Sequence, residues 1–114
     1  MMRIDAHQHF WSTARRDYGW LSPDDAHLYR DFGPGDLRPL MDHAGIDATI
    51  LVQAAPTEAE TAYLLDIADR HDWIGGVVGW TDLASPHALR RIAALADRPK
   101  LVGVRPMLQD MLDP

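Results

Sequence analysis

At 114 residues, with 46% hydrophobic and 25% charged side chains, the chain is long enough for one small soluble domain with its own core. Its net charge of -6 and its lack of any long basic run argue against a phosphate-gripping surface, so no nucleic-acid partner is expected. The absence of cysteine excludes a disulfide framework and a thiolate zinc site and suits a reducing compartment. There is no apolar leader and no apolar run of roughly 18 residues, so no signal peptide and no membrane span are expected, and the cytoplasm is the default location.

The first element, RIDAHQHF from Arg3, reads as a strand with Ile4, Ala6 and Phe10 on one face and Asp5, His7 and His9 on the other. STARRDYGWLSPDDAHLYRDFGPG follows without a sustained period. It reads as a long loop with room for a short helical turn, and ordered loops of that length are often functional. DLRPLMDHAGID predicts a helix capped by Asp36, with Pro39 in its first turn and Gly45 closing it. ATILVQAA is a β-branched apolar run without alternation, as in a strand buried on both faces. PTEAETAYLLDIADRHD predicts a helix with a Thr57–Glu60 capping box and an inward stripe of Tyr63, Leu64, Ile67 and Ala68. WIGGVVGWTDL is a third strand. SPHALRRIAALADRP predicts a helix capped by Ser85, with Pro86 at its first position and Leu89, Ile92, Ala93 and Leu95 facing inward. KLVGVRPMLQ, ending at Gln109, is a fourth strand.

This βαβαβαβ order implies parallel strands joined by right-handed crossovers. Two architectures satisfy it: a self-standing open four-stranded sheet, or half of an eight-stranded (β/α)8 barrel, which needs roughly 250 residues. The second makes residues 1–114 the amino-terminal portion of a single, truncated barrel domain.

Residues two apart on a strand point the same way, so His7 and His9 can turn two imidazoles toward one cation at the carboxyl end of a first strand. The spacing also fits two histidines at a partly exposed strand end, and two ligands alone do not complete a zinc site. His27, His43, His71 and His87 fall on a loop or helices and read as solvated or capping residues. Asp5 either orients an imidazole or ties down the strand's base. Arg105 interrupts an apolar strand. It is a candidate to grip a carboxylate or lactone carbonyl, or a member of a structural ion pair. Gln53 is a buried amide that either donates to a substrate oxygen or is satisfied by backbone. Trp80 either walls a pocket or packs in the core. Trp11 and Trp20, in and beside the long loop, are placed to cover a site. No phosphate-binding glycine loop and no serine elbow occurs.

RIDAHQHFW, YGWL, LYRDFGPGDLRPLMDHAGIDATILVQAAPTEAET, GVVGWTDL and LVGVRPMLQD, in that order, closely resemble the start of the sugar-lactone hydrolase branch of the amidohydrolase superfamily, the L-fuconolactonase and L-rhamnonolactonase-like enzymes. The resemblance covers essentially the whole chain. It implies a (β/α)8 barrel that opens a sugar-derived lactone to the aldonic acid. The family's first-strand histidine pair matches His7 and His9, implying one divalent metal, zinc first, and its fourth-strand arginine matches Arg105. Arg105 stands where two-metal members carry lysine or glutamate, which favours one ion over two. The further histidines and the aspartate general base would lie beyond Pro114, so the segment itself carries no catalytic base.

The implied mechanism is attack of activated water on the lactone carbonyl, with Arg105, Gln53 and Trp80 binding substrate. A decarboxylase or amide hydrolase on the same scaffold is one alternative. An inactive half-barrel acting as a binding or assembly module, self-associating through its exposed edges, is another.

Overall fold

The computed structural model describes residues 1–107. Its elements are β1 (Ile4–Gln8), a 3-10 turn (Thr13–Arg15), α1 (Pro34–Ala44), β2 (Ala48–Val52), α2 (Glu58–Asp69), β3 (Ile74–Gly79), α3 (Ala88–Ala96) and β4 (Leu101–Val104). The four strands form one parallel sheet in the order β1-β2-β3-β4. Each strand lies beside its sequence neighbour, and the order never reverses. A doubly wound sheet reverses at its switch point, whereas a (β/α)8 barrel adds strands in sequence. The α/β architecture is therefore that of the first four strands of a barrel. Leu108 and Gln109, expected to continue the fourth strand, lie outside the described residues.

One face of the sheet is covered by α2. Leu64, Leu65, Ile67 and Ala68 pack on Leu51, Ile74 and Val77, with Phe10 closing the core and Tyr63 at its margin. The approach is tightest at Gly79, where an added Cβ would stand 2.6 Å from Thr61 Cγ2. Thr61 lies there because its hydroxyl bonds both the N–H and the carbonyl of Trp80, at 2.8 and 2.7 Å. The other face carries Ile50, Gly76 and Val102, mutual neighbours in one layer. It is open, and Val102 is 59% exposed.

Several boundaries differ from the sequence reading for local reasons. Helix α1 starts at Pro34, with Gly33 as its cap; Asp36 is three residues in and accepts the Gly33 N–H at 3.0 Å. Pro39 consequently falls inside the helix. Helix α3 starts at Ala88, because the Ser85 hydroxyl accepts the His87 N–H at 3.1 Å and makes a turn ahead of the helix. Its stripe is not buried: Ile92 and Leu95 are half-covered, while Leu89 is 84% exposed. His71 lies just past α2, tilted against the Trp73 ring.

Candidate functional site

β1 does not hold its alternation. Asp5 pairs with Thr49, yet Gln8 pairs with Leu51, so β1 spends three residues where β2 spends two. The extra residue is a bulge, and Asp5 builds it: its carboxylate accepts the backbone N–H of His7 at 3.1 Å. The bulge inverts the side-chain phase. Asp5 shares the helix-covered side with Thr49, whereas His9, next to Gln8, falls opposite Val52 on the open side. Phe10 is thereby turned into the core, away from the face of Ile4. Asp5 shapes the strand and bonds neither imidazole.

The bulge brings the two imidazoles together. Their Nε2 atoms are 3.1 Å apart, with ring centroids 4.8 Å apart and planes at 73°. His9 Nδ1 lies 2.9 Å from the Val52 carbonyl, which only accepts, so Nδ1 carries the proton and Nε2 presents its lone pair. Burial holds the His9 imidazole below its ordinary pKa. The bond to Val52 opposes this, and nearby His7 and Arg105 add to it. The donor set fits a metal ion. Two imidazole nitrogens ~2.0–2.1 Å from a shared tetrahedral ion lie about 3.3 Å apart, close to what the pair already shows. His9 also has the carbonyl partner that commonly fixes a ligand's tautomer. Among the described residues no group of three or more potential ligating side chains gathers, and the histidine pair stands by itself.

Arg105 and Gln53, separate candidates in the sequence, bond to each other. Arg105 Nε donates to Gln53 Oε1 at 2.8 Å and Nη2 to the Gln53 carbonyl at 3.0 Å. Gln53 is fully buried, and its own amide donates to the Ala55 carbonyl at 3.4 Å. Among the described residues Arg105 has no carboxylate partner. Its charge is held in place by a neutral amide and a carbonyl. Trp80 is half-buried at the end of β3, beside Pro56, Asp82, Pro106 and Met107. It stands on the same rim without contacting the histidines.

Three consecutive carbonyls at the end of β2 organise this rim. Val52 receives His9, Gln53 receives Arg105, and Ala54 receives the Trp20 indole N–H at 2.7 Å. The peptide that presents them is pinned from behind by Glu60, fully buried, whose Oε2 accepts the Ala54 N–H at 2.7 Å. Glu60 Oε1 accepts from Arg15 at 2.7 Å and from the Tyr18 hydroxyl at 2.8 Å. Thr57 caps α2 by accepting the Glu60 N–H at 3.0 Å, so one half of the expected capping box forms while the Glu60 side chain turns inward. The long loop is thus anchored at Arg15 and Tyr18. It is also anchored at Trp11, which pairs with Phe32 in an antiparallel bridge. Sequence reasoning missed Glu60, Arg15 and Tyr18. The only local sign was an arginine and a tyrosine inside an otherwise aperiodic loop.

Known proteins resemble this chain in sequence and in fold. The amidohydrolase family model matches residues 4–114. An L-fucono-1,5-lactonase of Burkholderia ambifaria is 52% identical over 97% of the chain, and one of Burkholderia multivorans is 43% identical over 98%. The chain spans 38% of the length of each. Crystal structures of an amidohydrolase from Burkholderia multivorans, one with bound zinc and one with bound HEPES, superpose with a TM-score of 0.90 at 42% identity. They match 99% of the chain and 39% of their own length.

Proposed function

The chain belongs to the amidohydrolase family, and from that premise we propose that it forms the first four strand–helix units of a hydrolase opening a sugar-derived 1,5-lactone to its aldonic acid. The observation that carries this reading is the convergence of His9 and Arg105 on the adjacent carbonyls of Val52, the last residue of β2, and Gln53, the residue after it, with His7 against His9. A paired-imidazole ligand set and a fixed guanidinium then stand on one rim. The two lactonases named above support the substrate class.

His7 and His9 would hold one divalent ion, zinc by the chemistry of two imidazoles. When bound, it would polarise the lactone carbonyl or lower the pKa of a water. The protein's own part is orientation. The Val52 carbonyl keeps the proton on His9 Nδ1. Gln53 aims the Arg105 guanidinium, which donates to the carbonyl oxygen and then to the carboxylate released on ring opening. The general base is an aspartate supplied from outside residues 1–114.

The test is His7→Ala in the protein expressed from its natural reading frame. His7 is exposed, so the fold should hold by circular dichroism. Turnover of L-fucono-1,5-lactone should fall by more than about 100-fold, with loss of bound metal by elemental analysis. Unchanged turnover sinks the ligand role. Preference for a benzoate-type acid over the lactone sinks the substrate class.

A further inference from the structure

Trp20 is 44% exposed although its position is fixed. Its N–H is bonded to the Ala54 carbonyl. Trp11 and Tyr18 pack on it in edge-type contacts, with centroids at 5.0 and 6.1 Å and planes at 87° and 67°. A large indole that is immobilised yet left open is neither core nor loose surface. It stands beside a hollow of about 390 Å³ shared with Asp17, Thr57 and Met107, a volume in the range of small-molecule sites. Through Ala54 the hollow adjoins the Arg105 anchor, and Met107 is two residues past Arg105.

The second component is Asp17. Its Oδ2 is occupied: Arg15 donates to it at 3.1 Å, and the Thr57 hydroxyl also donates to it. Its Oδ1 has no partner among the described residues. A rigid carboxylate with one acceptor oxygen to spare, across a hollow from an aromatic ring, matches one ligand chemistry well. Vicinal hydroxyls donate to the carboxylate, while electron-poor C–H bonds of a ring meet the negative face of the indole.

We propose that Trp20 and Asp17 form the subsite for the polyhydroxylated part of the substrate, Trp20 as the platform under its C–H face and Asp17 as acceptor of its hydroxyls. The inference rests on the lactonase reading and deepens it: the histidine and arginine side would do the chemistry, and this side would choose a sugar over a plain lactone.

The experiment compares wild type, Trp20→Leu and Trp20→Phe, expressed from the natural reading frame, on L-fucono-1,5-lactone and on γ-butyrolactone, which lacks hydroxyls. The expected result is a KM for the sugar lactone raised roughly fivefold to tenfold in Trp20→Leu with kcat little changed. Trp20→Phe should remain within about threefold of wild type, and γ-butyrolactone kinetics should not move. In parallel, indole N–H signals are followed by NMR while L-fuconate, the product acid, is added; the Trp20 signal should shift. The subsite is overturned if Trp20→Leu weakens both lactones equally, if it leaves the sugar KM unchanged, or if L-fuconate leaves the Trp20 signal in place. Should L-fuconate shift Trp20 while neither lactone is opened, the hydrolase reading fails and the sugar subsite stands.

Discussion

At the scale of single residues, the candidate site positions fall into those the sequence singles out and those only contact singles out. His7, His9 and Arg105 stand out in the sequence because two histidines sharing a strand face can meet one cation and because an arginine in an apolar strand is costly unless paired. Glu60 does not. On a helix, T-x-x-E reads as a solvated cap, and only the tertiary fold reveals that its carboxyl group meets Arg15, Tyr18 and the Ala54 N–H. Burial above all, with the Glu60 carboxylate beside it, pushes the Tyr18 phenol far above its ordinary range. The sign follows. Below pH ~10 folded and unfolded chains both keep this proton; above it only the folded chain does, so stability is full below pH ~10 and falls beyond it. Urea unfolding from pH 8 to 11 should show a steeper alkaline loss in wild type than in Tyr18→Phe. Equal slopes would remove Tyr18 from the account.

At the scale of elements, strand and helix types were readable from periodicity, while phase and starting points were not. The phase of β1 depends on a side chain bonding its own backbone, Asp5 to the His7 N–H. Strict alternation has no way to anticipate this. The first residues of α1 and α3 shifted for the same kind of reason, since Asp36 and Ser85 serve neighbouring N–H groups. Packing between elements is sharpest where β3 meets α2. Gly79→Ala would drive a methyl group into Thr61, a stiff β-branched side chain tied to Trp80 at both ends. A loss of about 1–3 kcal/mol in urea unfolding is expected. Partial recovery is expected in Gly79→Ala/Thr61→Ser, which removes the obstructing Cγ2 and keeps the hydroxyl. No recovery would mean that the backbone itself resists the change.

At the scale of the molecule, the fold is a slab. Its extents are 45 × 37 × 23 Å and its radius of gyration is 14.8 Å, against about 13 Å for a compact domain of this length. It exposes 7282 Å², where a globular monomer of its mass exposes about 6,300 Å². Apolar side chains lie open on the uncovered sheet face and on the stripe of α3, among them Ile4, Val102 and Leu89. Periodicity could show that Leu89 belongs to an apolar stripe; it could not show whether anything lies against it. Residues 1–114 expressed by themselves should therefore associate, seen as a sedimentation coefficient that rises with concentration. A concentration-independent 12.8 kDa species would contradict this. Among the described residues no helix is long and apolar enough to cross a membrane.

The row of carbonyls at Val52, Gln53 and Ala54 gives the rim an uneven tolerance to change. Peptide oxygens are common to every residue type, so the grip on His9 and Trp20 is independent of the Val52 and Ala54 side chains, whose identity is set instead by the space they fill in the core. The spacing between those oxygens belongs to the chain itself. Inserting or deleting one residue there would rotate each successive carbonyl to the opposite edge and release imidazole, guanidinium and indole together. Changes of length are thus more disruptive at this rim than any single substitution at Val52 or Ala54, since one shift of register releases all three side chains.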